Sequence, residues 1–144
     1  MSYDCVVDAS VGIKLFLDEP LSDRADVLFD HLADDLPARF HVPDLFFIEC
    51  ANILWKYVRY HGYPLENARQ DVADLRGLGL RVVSTRELVE EALQIALDQG
   101  ITAYDASYVA LAGKLTLPLV TADEPLTRRL AGSEFDVRWL GDWP

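Results

Sequence analysis

The feature that most constrains the fold is an alternation of short β-branched segments with longer segments of helical period. Strands are predicted over residues 3–8, 40–43, 80–85, 117–122 and 135–140. Helices are predicted over residues 9–17, 22–35, 43–60, 64–78, 86–100 and 102–115. Strands that alternate with helices pair in parallel and form a sheet covered on both faces. The sequence therefore predicts an α/β fold with three layers, α/β/α, around a central parallel sheet of four to five strands.

The length and apolar content indicate one folding unit. A chain of 144 residues with 51% hydrophobic residues can build its own core, so we expect a single domain spanning 1–144. Apolar runs such as 45–48 are too short to cross a bilayer, and the N-terminus has no basic segment followed by an apolar one. We therefore expect a cytoplasmic protein without membrane contact.

The cysteines and histidines offer little chemistry. Cys5 and Cys50 lie in apolar surroundings without metal-ligand spacing, so buried reduced thiols are expected. His31 and His41 lie outside every motif described below, and His61 follows a predicted helix, where a surface or C-cap position is typical. A histidine-based active site is therefore not indicated.

The charge of the chain argues against a nucleic-acid partner at first. The 24 Asp and Glu against 13 Lys and Arg give a formal net charge of -11, whereas phosphate backbones favour basic surfaces. Carboxylates that gather to hold a metal ion contribute to such an excess, and they become attractive to phosphate once the ion is bound. The charge is thus compatible with a metal-dependent enzyme.

Two aspartates follow predicted strands. Asp8 ends the apolar run Cys5–Val7 and Asp123 follows the strand over 117–122, so both belong at the carboxyl edge of a parallel sheet, where ligands bind. The alternative for each is a carboxylate that only stabilises a helix N-terminus, with Thr121 and Glu124 as a possible capping box.

Two further acids lie on predicted helices. Asp105 follows Thr102 by three residues, which fits a capping box, but it could also face a ligand. Glu49 lies between Leu45 and Ile53 on an apolar stripe, where a carboxylate is costly without a cation or hydrogen-bond donors. Its alternative is a half-exposed position at the edge of that stripe.

Four motifs in order carry a resemblance to a known family. VVDAS at 6–10, IECAN at 48–52, TAYDASYVALA at 102–112 and LVTADEPL at 119–126 resemble those of PIN-domain ribonucleases. The similarity is greatest to the toxin component of VapBC-type toxin-antitoxin pairs, and it spans essentially the whole chain. It implies a PIN-like fold and a metal-dependent endoribonuclease that hydrolyses RNA phosphodiester bonds.

The resemblance also implies a site and partners. The family's metal-binding and catalytic acids fall on Asp8, Glu49, Asp105 and Asp123, with Ser10 and Thr121 as polar support. Asp8 is expected to be the central ligand of one or two Mg²⁺ or Mn²⁺ ions, which would activate water and neutralise phosphate charge. The resemblance further implies a small antitoxin protein as partner, and a homodimer.

Basic and aromatic residues near the motifs could serve these partners. Lys14, Lys56, Arg59, Arg128 and Arg129 could contact RNA phosphates, although solvated surface positions are the simpler interpretation of each. The aromatic residues between 46 and 63 exceed the needs of one helix face, so some could contact an antitoxin while the others pack in the core. These residues are Phe46, Phe47, Trp55, Tyr57, Tyr60 and Tyr63.

Two other function classes compete with the ribonuclease. A phosphoacceptor receiver domain is also small, acidic and α/β, but it requires an aspartate after the third strand, and the segment 80–85 ends without one. A non-catalytic PIN-fold interaction module would not need all four acids. Metal binding distinguishes this module from the enzyme.

Overall fold

A parallel sheet forms the centre of the protein. The computed structural model describes residues 4–32 and 38–143. Within these ranges the strands are β1 (Cys5–Val7), β2 (Phe40–Pro43), β3 (Arg81–Val83), β4 (Leu119–Thr121) and β5 (Val137–Trp139). They form one sheet in the order β3-β2-β1-β4-β5, and every neighbouring pair is parallel. The prediction of a central parallel sheet is confirmed, with five strands.

The order of the strands places a crevice between β1 and β4. From β1 the chain first builds outward through β2 and β3, and then returns to add β4 on the other side of β1. Val6 of β1 pairs with Leu119, and Val7 pairs with Val120. Such a reversal is the point where α/β sheets bind ligands. A receiver domain has the order 2-1-3-4-5 instead, so the strand order excludes that alternative.

Helices cover both faces of the sheet and complete the predicted three layers. The α-helices of the described residues are α1 (Ala9–Gly12), α2 (Ser22–Asp30), α3 (Leu45–Tyr60), α4 (Leu65–Arg76), α5 (Val89–Gln99), α6 (Ala103–Leu115) and α7 (Glu124–Leu130). None of them is both long enough and apolar enough to cross a membrane.

The helices differ from the predictions by more than two residues in three segments, and one further helix was not predicted. The segment 9–17 is not one helix, because α1 gives way to a 3-10 turn at Ile13–Leu15. The segment 86–100 begins within a 3-10 turn at Thr85–Glu87 before α5. The predicted helix 22–35 ends as α2 at Asp30, and residues 33–35 lie outside the described residues. Helix α7 was not predicted, since its 7 residues are too few to show a helical period.

Helix α6 is the most buried helix and carries Asp105. Residues 106–112 are all buried, and the helix packs against α5, β1 and β2. A helix that is apolar on all sides belongs in the interior, which explains the absence of an amphipathic pattern in this segment. The buried segment fixes the helix against the sheet, and Asp105 lies directly before it.

Gly100 ends α5 and begins the short connection to α6. It ends α5 with φ at +68°, a conformation that glycine adopts without strain. A Cβ atom at this position would lie 2.4 Å from the guanidinium of Arg129, whose Nε donates to the Gln99 carbonyl at 3.0 Å. The positive φ thus favours glycine here, whereas the flexible Arg129 side chain could move away from a Cβ atom.

The core contains both cysteines. Cys5 and Cys50 are fully buried free thiols, as predicted. Burial raises the pKa of Cys5 to about 12 and also raises that of Cys50, so both remain protonated and unreactive.

Candidate active site

One cleft collects all four predicted acids. It has a volume of about 590 Å³ and lies at the carboxyl ends of β1 and β4. Its acidic lining residues are Asp8, Glu49, Asp105 and Asp123. They arrive from four different elements, namely the end of β1, helix α3, the first turn of α6 and the start of α7. Ser10 also lines the cleft, on the side of α1.

Asp8 is the most deeply placed of these acids, with 7% of its surface exposed. Its Oδ1 accepts hydrogen bonds from the Ser10 hydroxyl at 2.5 Å and from the Val11 N–H at 3.3 Å. Its Oδ2 accepts from the Thr121 hydroxyl at 2.5 Å. The Val11 contact is a helix N-cap, so the structural alternative for Asp8 is present. The hydroxyl donors add a fixed side-chain orientation that a cap alone does not need.

The two predicted supporting residues tie the strand ends together. Thr121 is fully buried and accepts the N–H of Asp123 at 3.1 Å while donating to Asp8. Ser10 accepts the N–H of Ala122 at 3.0 Å while donating to the other Asp8 oxygen. The loop after β4 is thereby held against the loop after β1.

The capping box considered possible for Thr121 and Glu124 does not form. Asp123 itself is the N-cap of α7, and its Oδ1 accepts the Leu126 N–H at 3.1 Å. Thr121 lies two residues too early to cap this helix, and its hydroxyl is used by Asp8. Asp123 is exposed, and its second carboxylate oxygen is not needed for the cap.

Asp105 combines both interpretations made from the sequence. The Thr102 hydroxyl accepts the Asp105 N–H at 3.1 Å, so Thr102 caps α6 as predicted. That contact uses only the backbone of Asp105, whose half-buried side chain lines the cleft. Asp105 interacts electrostatically with each of the other three acids. It is therefore close enough to affect, or be affected by, each of the other three charges, and Asp8 is the most buried of the four.

Glu49 is half-buried, as the alternative position at the edge of the apolar stripe predicted. It nevertheless has a specific hydrogen-bond partner. The hydroxyl of Tyr108 donates to Glu49 Oε1 at 2.5 Å. Tyr108 was missed in the sequence because it resembles an ordinary core residue of α6. The available signal was its spacing. Tyr108 follows Asp105 by three positions, which places both residues on one side of the helix.

Burial perturbs the acids of the cleft. It raises the pKa of Asp8 to about 6, although the hydrogen bonds from Ser10, Thr121 and Val11 act in the opposite direction. Burial also raises the pKa of Glu49 and of Asp105, and neighbouring carboxylates add to both shifts. Removal from water is thus a larger cause than mutual repulsion. Each carboxylate would be stabilised by a cation in the cleft.

The wall of the cleft formed by α3 has a different character. Ile48 on α3 exposes 66% of its surface there, and Tyr104, in the first turn of α6, exposes 64% at the same cleft. Asn52 and Lys56 follow at one-turn intervals along α3, and both also line the cleft. Among its lining residues in the described part of the chain, Lys56 alone is basic. This wall offers one cation, one amide and apolar surface beside the acids.

The other basic candidates lie elsewhere. Lys14 forms an ion pair with Glu19 at 3.1 Å, and Arg128 forms one with Glu124 at 3.3 Å. Neither these residues nor Arg59 and Arg129 line the cleft. The histidines do not line it either, and His61 is the C-cap of α3, as predicted.

The donor set fits a hard cation that keeps part of its water. The cleft presents carboxylate oxygens and no thiol or imidazole, which suits Mg²⁺ or Mn²⁺. Within residues 4–32 and 38–143, no three acidic, histidine or cysteine side chains converge tightly enough to enclose an ion by themselves. Mg²⁺ typically uses one or two carboxylates and several waters. The cleft therefore fits a partly hydrated ion better than an all-protein cage.

Comparison with known proteins identifies the family. The model of the PIN domain matches residues 5–131. The chain belongs to the PIN-domain family. It is 34% identical to Ribonuclease VapC3 of Pyrobaculum aerophilum over 126 residues, which cover 86% of this chain and 92% of the relative. The resemblance inferred from the four motifs is thereby confirmed.

Other relatives agree with this assignment. Exonuclease VapC9 of Pyrobaculum aerophilum is 34% identical over 97 residues, covering 64% of this chain and 67% of the relative. The crystal structure of PAE2754 from the same organism has a TM-score of 0.69 and 25% identity, and the match covers 98% of this chain and 93% of that one. VapBC2 from Rickettsia felis, bound to a DNA fragment from its promoter, shares the PIN fold with a TM-score of 0.64 at 13% identity, over 94% of this chain and 98% of that one.

Proposed function

We propose that this PIN-domain protein is a divalent-metal-dependent endoribonuclease and the toxin of a VapBC-type toxin-antitoxin pair. The observation that carries the proposal is the joint lining of one cleft by four carboxylates from four elements, at the reversal point of the sheet. The similarity to a VapC ribonuclease over most of the chain supports RNA as the substrate.

The acids would hold the ion and the attacking water. A bound Mg²⁺ or Mn²⁺ would lower the pKa of a water molecule and neutralise charge on the phosphoryl oxygens. Asp8 is fixed by two hydroxyl donors, so its remaining lone pairs point in a set direction. Asp105 would share the ion with Asp8, the expected central ligand. Glu49 and Asp123, which line the same cleft, would bind the ion directly or through water.

The α3 wall would hold the RNA. Lys56 would contact a backbone phosphate, which offsets part of the repulsion between RNA and a chain of net charge -11. The exposed ring of Tyr104 lies beside Asp105 and offers a stacking surface for an unpaired base. Duplexes keep their bases stacked on each other, so stacking on Tyr104 favours single-stranded or loop RNA.

Cleavage assays with purified protein test the proposal. RNA should be cut in Mg²⁺ or Mn²⁺ and left intact in excess EDTA, and Asp8→Asn should be inactive in both conditions. Activity that persists undiminished in EDTA would contradict the metal-dependent mechanism. Mapping the new RNA ends would also identify the preferred sequence.

A circular RNA distinguishes internal cleavage from cleavage at ends. The comparison matters because one relative of this chain is an exonuclease. An endonuclease linearises a circle, whereas an exonuclease cannot begin on it. We expect the circle to be linearised.

An antitoxin would cover an apolar groove beside the site. The groove has a volume of about 340 Å³ between α3 and α4 and includes Trp55, Leu65 and Val72. Trp55 and Tyr60 are exposed and pack edge to face at 5.9 Å, whereas Phe46 is fully buried. The aromatic residues of 46–63 thus divide between core and surface. We expect an apolar antitoxin segment on this surface and a basic side chain among the acids.

Co-purification and hydrogen exchange test the antitoxin. The protein should co-purify with a small partner that protects amides of residues 46–63. A genuine complex without protection there would contradict this part of the proposal. The homodimer and the cytoplasmic location stay predictions, and sedimentation of the purified protein measures the former.

A non-catalytic PIN-fold module is the second candidate. It would use the same α3–α4 groove for protein contact without metal chemistry. The presence of all four acids in one cleft favours the enzyme, as do the hydrogen bonds that orient Asp8. Failure to bind Mn²⁺ would favour the module.

A further inference from the structure

Among the described residues, three tyrosine hydroxyls donate to carboxylates, and one of these pairs lies in the acidic cleft. Tyr108 donates to Glu49 Oε1 at 2.5 Å, and Tyr57 donates to Glu19 Oε2 at the same distance. The third pair is Tyr63 with Asp71. Only the pair formed by Tyr108 lines the cleft among these described contacts. The other two pairs therefore provide internal comparisons of the same chemistry.

The Tyr108 pair joins two walls of the cleft. Tyr108 is 2% exposed on α6, one turn after Asp105, and its hydroxyl reaches across to Glu49 on α3. A buried tyrosine ring has few rotamers available, so the position of its hydroxyl is fixed by packing. The hydrogen bond uses Oε1 of Glu49, and no side-chain donor among the described residues contacts Oε2.

We propose that Tyr108 is a positioning residue that holds the Glu49 carboxylate with Oε2 turned toward a divalent cation bound in the cleft. This inference rests on the proposed function. Without the hydroxyl, Glu49 would gain freedom to rotate about its side-chain bonds, and part of that freedom would be lost again on binding the ion. Outer contacts that orient metal ligands commonly change metal affinity by about 10- to 100-fold when removed.

Direct Mn²⁺ titration of Tyr108→Phe tests the proposal. The substitution keeps the ring and removes only the hydroxyl, and isothermal titration should show Kd for Mn²⁺ increased by about tenfold. In a Glu49→Gln background, the same substitution should change Kd by less than about twofold, because the charged ligand that Tyr108 positions is absent. Far-UV circular dichroism in EDTA reports whether each variant is folded.

Tyr57→Phe is the matched control, since it removes an equally short tyrosine–carboxylate hydrogen bond outside the cleft. Its Kd for Mn²⁺ should equal that of the wild type. The inference is overturned if Tyr108→Phe binds Mn²⁺ like the wild type, or if it weakens binding equally with and without Glu49. If Tyr108→Phe does not fold, Glu49→Asp takes its place in the test. This substitution withdraws the carboxylate from the Tyr108 hydroxyl, and it must weaken Mn²⁺ binding by a similar factor. A wild type that binds no Mn²⁺ contradicts the proposed function itself.

Discussion

In the described part of the chain, two clefts are lined by three or more acids, and they differ in how these acids are held. The proposed site lies at the ends of β1 and β4, whereas the second cleft, of about 460 Å³, lies beside α5 and α6 and contains Glu91, Asp98 and Glu134. All three acids of the second cleft are exposed. Asp98 accepts from Gln94 at 2.9 Å, one turn away on the same helix. Lys114 lines this cleft as well and supplies a positive charge.

The comparison shows that the number of acids does not define a site. At the ends of β1 and β4, the donors to Asp8 come from α1 and β4, and the donor to Glu49 comes from α6. Such contacts fix carboxylates that burial has partly removed from water. An exposed acid beside a helical neighbour needs no partner beyond solvent. Asp98→Asn is therefore the matched control for Asp8→Asn.

The largest expected difference between the clefts is in catalysis. Asp8→Asn should lower the rate of RNA cleavage by about a thousandfold, since metal-assisted charge stabilisation is worth several kcal/mol. Asp98→Asn should cleave at the wild-type rate. Single-turnover cleavage in Mn²⁺ measures both rates, and equal activity of the two variants would remove the distinction between the clefts.

The next difference is in stabilisation by metal. At a free Mn²⁺ concentration of 100 times Kd, the wild type should gain about 2.7 kcal/mol in its free energy of unfolding, through binding to the folded state alone. Asp98→Asn should gain the same amount and Asp8→Asn much less. Urea unfolding in EDTA and in Mn²⁺ measures the gain. A full gain in Asp8→Asn would place the ion elsewhere.

A smaller effect concerns stability without metal. The pKa of Asp8 is about 6 in the folded protein against 3.8 as the ordinary value. Between these two values the folded state holds a proton that the unfolded state has lost, so Asp8 lowers the stability progressively as pH rises from about 4 to 6. Above pH 6 the full cost is present, and below pH 4 it is absent.

Asp8→Asn should therefore be more stable than the wild type at pH 7 by on the order of 1 kcal/mol, because the amide carries no charge. This advantage should disappear near pH 3.5. Asp98→Asn should differ little from the wild type at either pH, since its side chain is exposed. Urea unfolding in EDTA at several pH values checks this, and a pH-independent difference would contradict the assigned cause.

The smallest expected effect concerns RNA binding. Lys56→Ala should raise KM for RNA about fivefold and reduce the slope of affinity against salt by about 1, as expected for one phosphate contact. Lys114→Ala, in the second cleft, should change neither quantity. Cleavage kinetics at several salt concentrations measure both variants. Equal effects of the two substitutions would indicate nonspecific attraction by any surface lysine.

The sequence was informative wherever a local pattern decided the structure. The five strands, the caps at Asp8 and Thr102, and the shared edge of Asp8 and Asp123 followed from β-branched runs and from the geometry of parallel sheets. The order of the strands in the sheet could not be predicted from local patterns, because strands of similar composition can be arranged in several ways. Helix α7 was missed because a short helix shows too few turns.

The contacts across the cleft could not be predicted. Tyr108 and Glu49 are 59 residues apart, and Thr121 and Asp8 are 113 residues apart. Such contacts depend on tertiary packing, which no local spacing encodes. The family motifs identified Glu49 as a candidate, but its tyrosine partner does not follow from a motif.

Crystals grown with Mn²⁺ provide the most direct test of the metal site. Anomalous diffraction locates manganese independently of any assumption about ligands. We predict a peak within coordination distance of Asp8 and Asp105, and none in the cleft of Glu91, Asp98 and Glu134. Manganese absent from the first cleft at saturating concentration, or bound in the second cleft instead, would contradict the assignment of the four acids as the catalytic site.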